Sequence, residues 1–479
     1  MKSTATLAAL LLIATPAAAQ DTTLYRGGTI ITMDGDTPHL VEAVVTKGDR
    51  IAFAGDARAA RAAAGKGAVI HDLKGATMLP GFVDAHSHFA VAMQMADGLD
   101  LWDKTLPPVT DVASLQSVIR DYIAREAIPK DGWVIVWQYD HEKLAEKRHI
   151  TRAELDAVAA DRKIVVLHQS LHALVANSAA LAAAKLTDAS QPPPGGMMLR
   201  DADGHLNGAL LEKSTFLMLA AMPQLTPEQK LARLDAAQQR YFAEGYTHAQ
   251  DAATMPADLA FFTSPAARAR LKIDLALLPL YTGLDALLAQ PDIRFGQYDG
   301  HVKLQGIKVI LDGSVQARTG YFTHDYARGA PDGSHPWHGA PAMDQAAFDA
   351  LAKKVTGRGW QIFVHANGDA AIDMAIKGFD AAGIEAADDR RPIVIHSQFQ
   401  RRDQLADYKR IGVGPSYFSN HAWYWADVHR TNFPKEVVDF ISPLKSARAA
   451  GLTPSNHSDY SVTPLDTRFM LWTSMARVS

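Results

Sequence analysis

From Pro80 onward, short apolar stretches alternate with amphipathic helical ones, and that alternation restricts the chain to folds built from βα units. The candidate strands are residues 81–85, 246–251, 273–280, 304–311, 361–364, 392–395, 412–416 and 453–456, with helical material such as 227–244 and 345–357 between most of them. This pattern predicts an α/β fold, a TIM-like (β/α)8 barrel of about 250 residues. The 479-residue chain is longer than that, so additions are expected. The interval 90–240 is too long for one helix and holds its own apolar strands near 133–138 and 163–168, which predicts an inserted α/β subdomain. Residues 20–79 are β-rich, with turn signals at Asp34-Gly35 and Lys47-Gly48 and helical periodicity only over 57–64. They predict a small β-sandwich-type sheet ahead of a barrel spanning 80–479.

Residues 1–19 read as a signal peptide. Lys2 supplies the charge, residues 7–14 the apolar run, and Ala17, Ala18 and Ala19 the small-residue cleavage pattern before Gln20. The run is short for about 30 Å of hydrocarbon. The expectation is therefore an exported protein, periplasmic or secreted, without a membrane span after cleavage. A net charge of −4 and the lack of a basic run give no footprint for nucleic acid. Homo-oligomerisation stays open. With no cysteine in the chain, any metal must be held by His, Asp, Glu or a modified side chain.

His86-Ser87-His88 follows the first candidate strand. Residues two apart on a strand face one side, so both imidazoles can reach one ion. With 19 histidines in the chain, one such pair is expected by chance, so position decides its weight. It lies at the C-terminal end of a strand, where barrel enzymes carry their active groups. Lys308, His365, His396 and Asp459 lie at or near comparable strand ends. Singly, each has another explanation. A histidine can be a core residue, Lys308 the partner of a buried carboxylate, and Asp459 a helix cap. Their joint placement points to one polar centre at the barrel mouth.

The run Met78-Leu79-Pro80-Gly81-Phe82-Val83-Asp84-Ala85-His86-Ser87-His88 resembles the first barrel strand of the amidohydrolase superfamily. His172-Ala173-Leu174-Val175-Ala176-Asn177-Ser178, Lys308-Val309-Ile310-Leu311-Asp312-Gly313-Ser314, Val364-His365-Ala366-Asn367-Gly368-Asp369 and Ser458-Asp459 extend the likeness to the amidohydrolase 3 family, the group that contains N-substituted formamide deformylase. The resemblance implies one or two divalent metal ions, usually zinc, held by His86, His88, Lys308, His365, His396 and Asp459. It also implies that Lys308 can carry a CO2-derived carbamate, and that Asp459, with Lys308 and His396, serves catalysis, Asp459 moving the proton. The physical logic is compatible. Zinc brings the pKa of bound water to about 7, and a buried lysine is more readily neutral, as carbamate formation requires.

His172, Asn177, Glu212, Asp312, Arg318 and Tyr321 are candidate substrate contacts. Tyr417, Phe418, Trp423, Tyr424 and Trp425 form either an apolar wall of the pocket or ordinary loop packing. His421 and His457 are expected to lie outside the ligand set, with supporting roles open. The chain departs from the family's Glu-His-Ala-Gln pattern at Ile395-His396-Ser397-Gln398. It also stops at Ser479, where family members continue through strands that complete the small sheet, so either the chain is a fragment or the small sheet keeps an unpaired edge. The reading is hydrolysis of a carbon–nitrogen bond in a small non-peptide amide or formamide. Alternatives are a cyclic amide, ester or deaminatable ring, or a periplasmic protein that binds metal or ligand without turnover.

Overall fold

The computed structural model describes residues 21–35, 37–95 and 98–476. The signal-peptide reading of residues 1–19 therefore lies outside the described residues. The chain divides into two compact units, residues 1–81 and 82–479.

In the first unit, Thr22–Thr32 is the central strand of one mixed sheet. It pairs antiparallel with His39–Lys47 and parallel with Val69–Asp72 and Thr77–Met78, and Arg50–Gly55 adds an antiparallel edge beyond His39–Lys47. The expected sandwich is not what the described residues form. The layer over this sheet is a helix, Ala57–Ala64, whose Ala60 and Ala64 pack with Leu24, Ala43 and Val45. Asp56 starts that helix by accepting from the Ala59 N–H at 2.9 Å.

In the second unit, all eight predicted strand positions carry strand. Phe82–Val83, Tyr246–Thr254, Asp274–Pro279 and Val302–Leu304 pair in parallel in that order. Gly306–Ile310, Gln361–Ala366, Ile393–His396, Gly414–Tyr417 and Ser455–Asn456 form a second parallel run. The architecture is α/β and TIM-barrel-like. The single stretch expected over 304–311 divides at Gln305, whose N–H donates to Leu277 O at 3.0 Å. Gly306 then approaches the next strand so closely that a Cβ there would lie 2.4 Å from Gln361 O. Only glycine allows that approach. A parallel bridge between Leu280 and Lys308 connects the two runs. Beyond the first and eighth strands, Asp459 N donates to His86 O at 3.1 Å and His88 N to Tyr460 O at 2.7 Å.

Alternation along the strands sorts side chains between two environments. Ile307, Val309, Ile362 and Val364 join the core with Phe348 and Phe379 of the helices Gln345–Thr356 and Asp369–Ala381. Phe363 and Ile395 pack with Ala252 and Leu278 in a separate small cluster. Lys308, between Ile307 and Val309, shares the opposite strand face.

Between the first and second of these strands lies a six-stranded sheet. Its order is Gly196–Arg200, Leu206–Glu212, Ala173–Ala176, Lys163–His168, Trp133–Tyr139 and Leu99–Asp100.

Candidate metal centre

The residues that follow the first strand converge with those that follow the eighth. His86 Nε2 lies 3.4 Å, and His88 Nε2 3.3 Å, from Asp459 Oδ1. His86 Nδ1–H donates to Gln250 Oε1 at 3.1 Å and His88 Nδ1–H to the Ala252 carbonyl at 3.0 Å. With those protons committed, the Nε2 lone pairs face Asp459, the arrangement by which outer partners orient a metal-binding imidazole. Lys308 Nζ sits 3.4 Å from His86 Nε2. His365 Nδ1 sits 3.1 Å from His396 Nε2. Asp459 also belongs to a second potential ligand group with His396 and His457, whose Nδ1 and Nε2 approach to 3.2 Å. The six residues expected to form one centre do share one small volume.

Burial sets the charge states. Desolvation and nearby cationic groups hold His86, His365 and His396 well below the ordinary imidazole range, so they are neutral donors. Burial pushes the Lys308 amine down to about 7 against the opposing charge of Asp459. Burial works to raise the Asp459 carboxyl, but the electrostatic influence of its neighbours His88, His457 and Lys308 outweighs it and holds the group below its usual value. Asp459 and His396 adopt left-handed backbone, φ 52° and 67°. Such non-glycine conformations cost on the order of 1–3 kcal/mol each and collect at functional sites.

This donor set fits a divalent transition metal. Bonds of about 2.0–2.1 Å at tetrahedral angles place ligand atoms about 3.3–3.4 Å apart. His86 Nε2 and His88 Nε2 each stand at that spacing from Asp459 Oδ1. Asp459 Oδ1 is moreover buried without a hydrogen-bond donor, a costly state for a carboxylate oxygen unless a cation meets it.

The expected substrate contacts separate into two sets. His172 and Glu212 belong near the centre. Their side chains meet at 2.8 Å, and the His172 ring lies 5.1 Å from that of His365. Burial would lower the His172 pKa, but Glu212, aided by Asp312 and Asp459, raises it above the ordinary value. Asn177 does not belong there. Its Oδ1 accepts from Ala180 N and Ile164 N, both at 3.0 Å, and its Nδ2 donates to Arg162 O at 2.8 Å and Ala159 O at 3.3 Å. It caps the helix Ser178–Ala183 and has no free polar atom for a ligand. Asn177→Ala is expected to reduce stability by about 2–3 kcal/mol in denaturant titration. Turnover per folded molecule should be unchanged, and a fall in that quantity at intact stability would return Asn177 to the substrate contacts.

Asp312 is fully buried and braces the ligand loop. It accepts from Asn367 N at 2.9 Å, Gly368 N at 2.8 Å and Tyr321 N at 3.0 Å, and stands 3.5 Å from His365 Nε2. Arg318 turns to Gly329 O at 3.0 Å, Ala330 O at 3.3 Å and Glu142 at 3.6 Å. The Tyr321 ring lies 5.9 Å from His338. Asp312 and Arg318 are correspondingly support for the loops, because Asp312 accepts from loop backbone and Arg318 donates to it. The aromatic cluster also divides. Phe418 stacks on His457 at 5.1 Å, Trp425 is buried, and Trp423 is exposed.

His457 is the residue the sequence reading set aside. It is fully buried beside His396, its Nδ1 meeting Ser416 Oγ at 2.9 Å. Its spacing from Asp459 repeats that of His86 and His88, a signal that was available. Asp84 was missed too. It accepts from Ser458 N at 3.0 Å and so ties the first ligand strand to the eighth.

The amidohydrolase family model matches residues 69–478. The chain is 26% identical over 450 residues to an N-substituted formamide deformylase of Arthrobacter pascens, covering 91% of this chain and 80% of that protein. It is 25% identical over 421 residues to the putative amidohydrolase YtcJ of Bacillus subtilis strain 168, covering 85% and 74%. An uncharacterized metal-dependent hydrolase from Pyrococcus furiosus superposes with TM-score 0.71 at 22% identity, over 95% of this chain and 88% of that one. One from Pyrococcus horikoshii OT3 gives 0.73 at 21% identity, over 96% and 88%. These two share the fold. A family match over most of the length, joined to a buried histidine–aspartate centre at the strand ends, makes this chain a member of the amidohydrolase family.

Proposed function

We propose that this metal-dependent hydrolase cleaves the carbon–nitrogen bond of a small non-peptide amide or formamide, with His86, His88, Lys308, His365, His396 and Asp459 holding one or two divalent ions of the zinc class. The observation that carries the reading is the buried, donorless Oδ1 of Asp459 facing two imidazole lone pairs. When bound, the metal acidifies water and polarises the substrate carbonyl. The protein's own groups do the rest. Asp459 takes the proton of the attacking water and returns it to the nitrogen as the carbon–nitrogen bond breaks, leaving a carboxylic acid and an amine. His172, kept protonated more readily by Glu212, presents a hydrogen-bond donor beside His365 for the substrate oxygen. His457 and Phe418 pack against His396 and fix its ring. The similarity to the formamide deformylase supports the choice of substrate class.

We further propose that Lys308 is carboxylated. Its burial favours the free amine, and the carbamate replaces a buried cation with an oxygen ligand. Incubation of the whole protein with 13C-bicarbonate and metal is expected to give a carbamate carbonyl resonance that Lys308→Ala lacks. An identical spectrum from the two proteins rules the modification out. The reading of residues 1–19 supports export to the periplasm or medium, tested by fractionating cells that express the whole chain. Substrate class is tested by screening formamides, linear amides and lactams with metal-loaded protein. Turnover confined to lactams or esters would replace the proposed class. Among the described residues, no helix is long and apolar enough to cross a membrane.

A further inference from the structure

We propose a second metal site, in which Asp140, His141 and His168 bind one divalent ion of the zinc class, apart from the centre around Asp459. The strands Trp133–Tyr139 and Lys163–His168 are parallel neighbours, with Tyr139 opposite His168. That register sets Asp140 and His141, just past the end of one strand, against the last residue of the other. All three side chains are buried, with relative exposures of 5%, 3% and 0%.

The atoms have the spacing of a coordination shell. His168 Nε2 is 3.5 Å from Asp140 Oδ1 and 3.2 Å from His141 Nδ1, and all three lie within 4.8 Å of one another. These separations bracket the edge of a tetrahedron with metal–ligand bonds of about 2.0–2.1 Å. The outer contacts suit ligation as well. His168 Nδ1 lies 2.8 Å from Ser170 Oγ and accepts from Ser170 N at 3.1 Å, and His141 Nε2 lies 3.6 Å from Glu142 Oε1. Ion binding requires the His168 proton to move to Nδ1, where it donates to Ser170 Oγ in place of the Ser170 N contact; the His168 Nε2 lone pair then faces Asp140 and His141. Asp140 Oδ2 is fixed by Gln169 Nε2 at 3.0 Å and Trp425 Nε1 at 3.2 Å, which turns Oδ1 to the histidines. Glu142 is neutralised by Arg328, at 2.7 and 2.9 Å, and by Arg318, so the negative charge facing the ion is that of Asp140. A third imidazole, His149, stacks on His141 at 4.1 Å, and its Nδ1 is buried without a partner. An ion here pins two strand ends together and, through Trp425, secures the segment that follows the seventh barrel strand.

The competing arrangement is metal-free, with Ser170 N–H donating to His168 Nδ1 and His168 Nε2–H donating to His141 Nδ1. Metal analysis of the whole protein after zinc or cobalt loading and dialysis separates the two. His168→Gln and Asp140→Asn are each expected to lose about one equivalent relative to the parent, both in the natural sequence and in a His86→Ala, His88→Ala background. In that background, zinc is expected to raise the melting temperature, and His168→Gln to abolish the rise. Crystals of the unaltered protein loaded with cobalt should show an anomalous peak between Asp140, His141 and His168, a readout that needs no variant to fold. Unchanged metal content in both variants, or saturating cobalt with no peak at these residues, overturns the second site. Loss of metal in the His86, His88 variant reports on the first centre alone, so the two assignments fail independently.

Discussion

Asp459→Asn is expected to keep its metal and lose about 10²–10⁴-fold in kcat, the range general acid–base groups supply. The amide has nearly the shape of the carboxylate and keeps an oxygen for the ion, so the His86 and His88 contacts at 3.4 and 3.3 Å can persist. What it lacks is a basic oxygen for the water proton and an acid for the departing nitrogen. The amide must also place an NH2 somewhere in a buried space, and the wrong orientation would set it against two imidazole lone pairs. For that reason metal content and kcat must be measured on one preparation. A metal-replete variant with parental kcat would remove Asp459 from proton transfer. A variant that loses both metal and activity would make it a ligand first.

Replacing His86 and His88 together by alanine should empty the first ligand group and lower turnover by at least about 10³-fold, since metal polarisation contributes several kcal/mol at the transition state. His86 is buried among Gln250, Lys308 and Asp459, so its removal also leaves Gln250 Oε1 without its donor. The protein should fold less tightly, though the interior packing of Phe363, Ile395, Ala252 and Leu278 lies outside the change. Circular dichroism establishes folding and elemental analysis the metal. A folded double variant with undiminished metal at the Asp459 centre contradicts the ligand assignment.

The periodicity of the second unit was legible because each strand is a short apolar run bounded by turn residues. The ligand residues were legible because barrel topology carries strand ends to one place. What the sequence concealed depends on pairing between distant segments. The division at Gln305 arises from the close approach of Gly306 to Gln361, which no local pattern records. Asn177 misled because it lies five residues after His172 in the same motif, yet the strand between them carries it to a helix start. Asp312 and Arg318 are polar residues near a ligand strand, and only the fold shows that loop backbone and Glu142 occupy them. The Asp140, His141 and His168 cluster needed the register of two strands that are 27 residues apart at their histidines.

The hydrogen bonds from Asp459 N to His86 O and from His88 N to Tyr460 O have a consequence for the order of assembly. A ribosome delivers the two sides of this junction far apart in synthesis, His86 and His88 well before Asp459. An ion met by the emerging polypeptide finds a lone imidazole pair, a weak and unselective chelate. On the proposed ligand set, capture of the ion is thereby deferred until the eighth strand has docked beside the first.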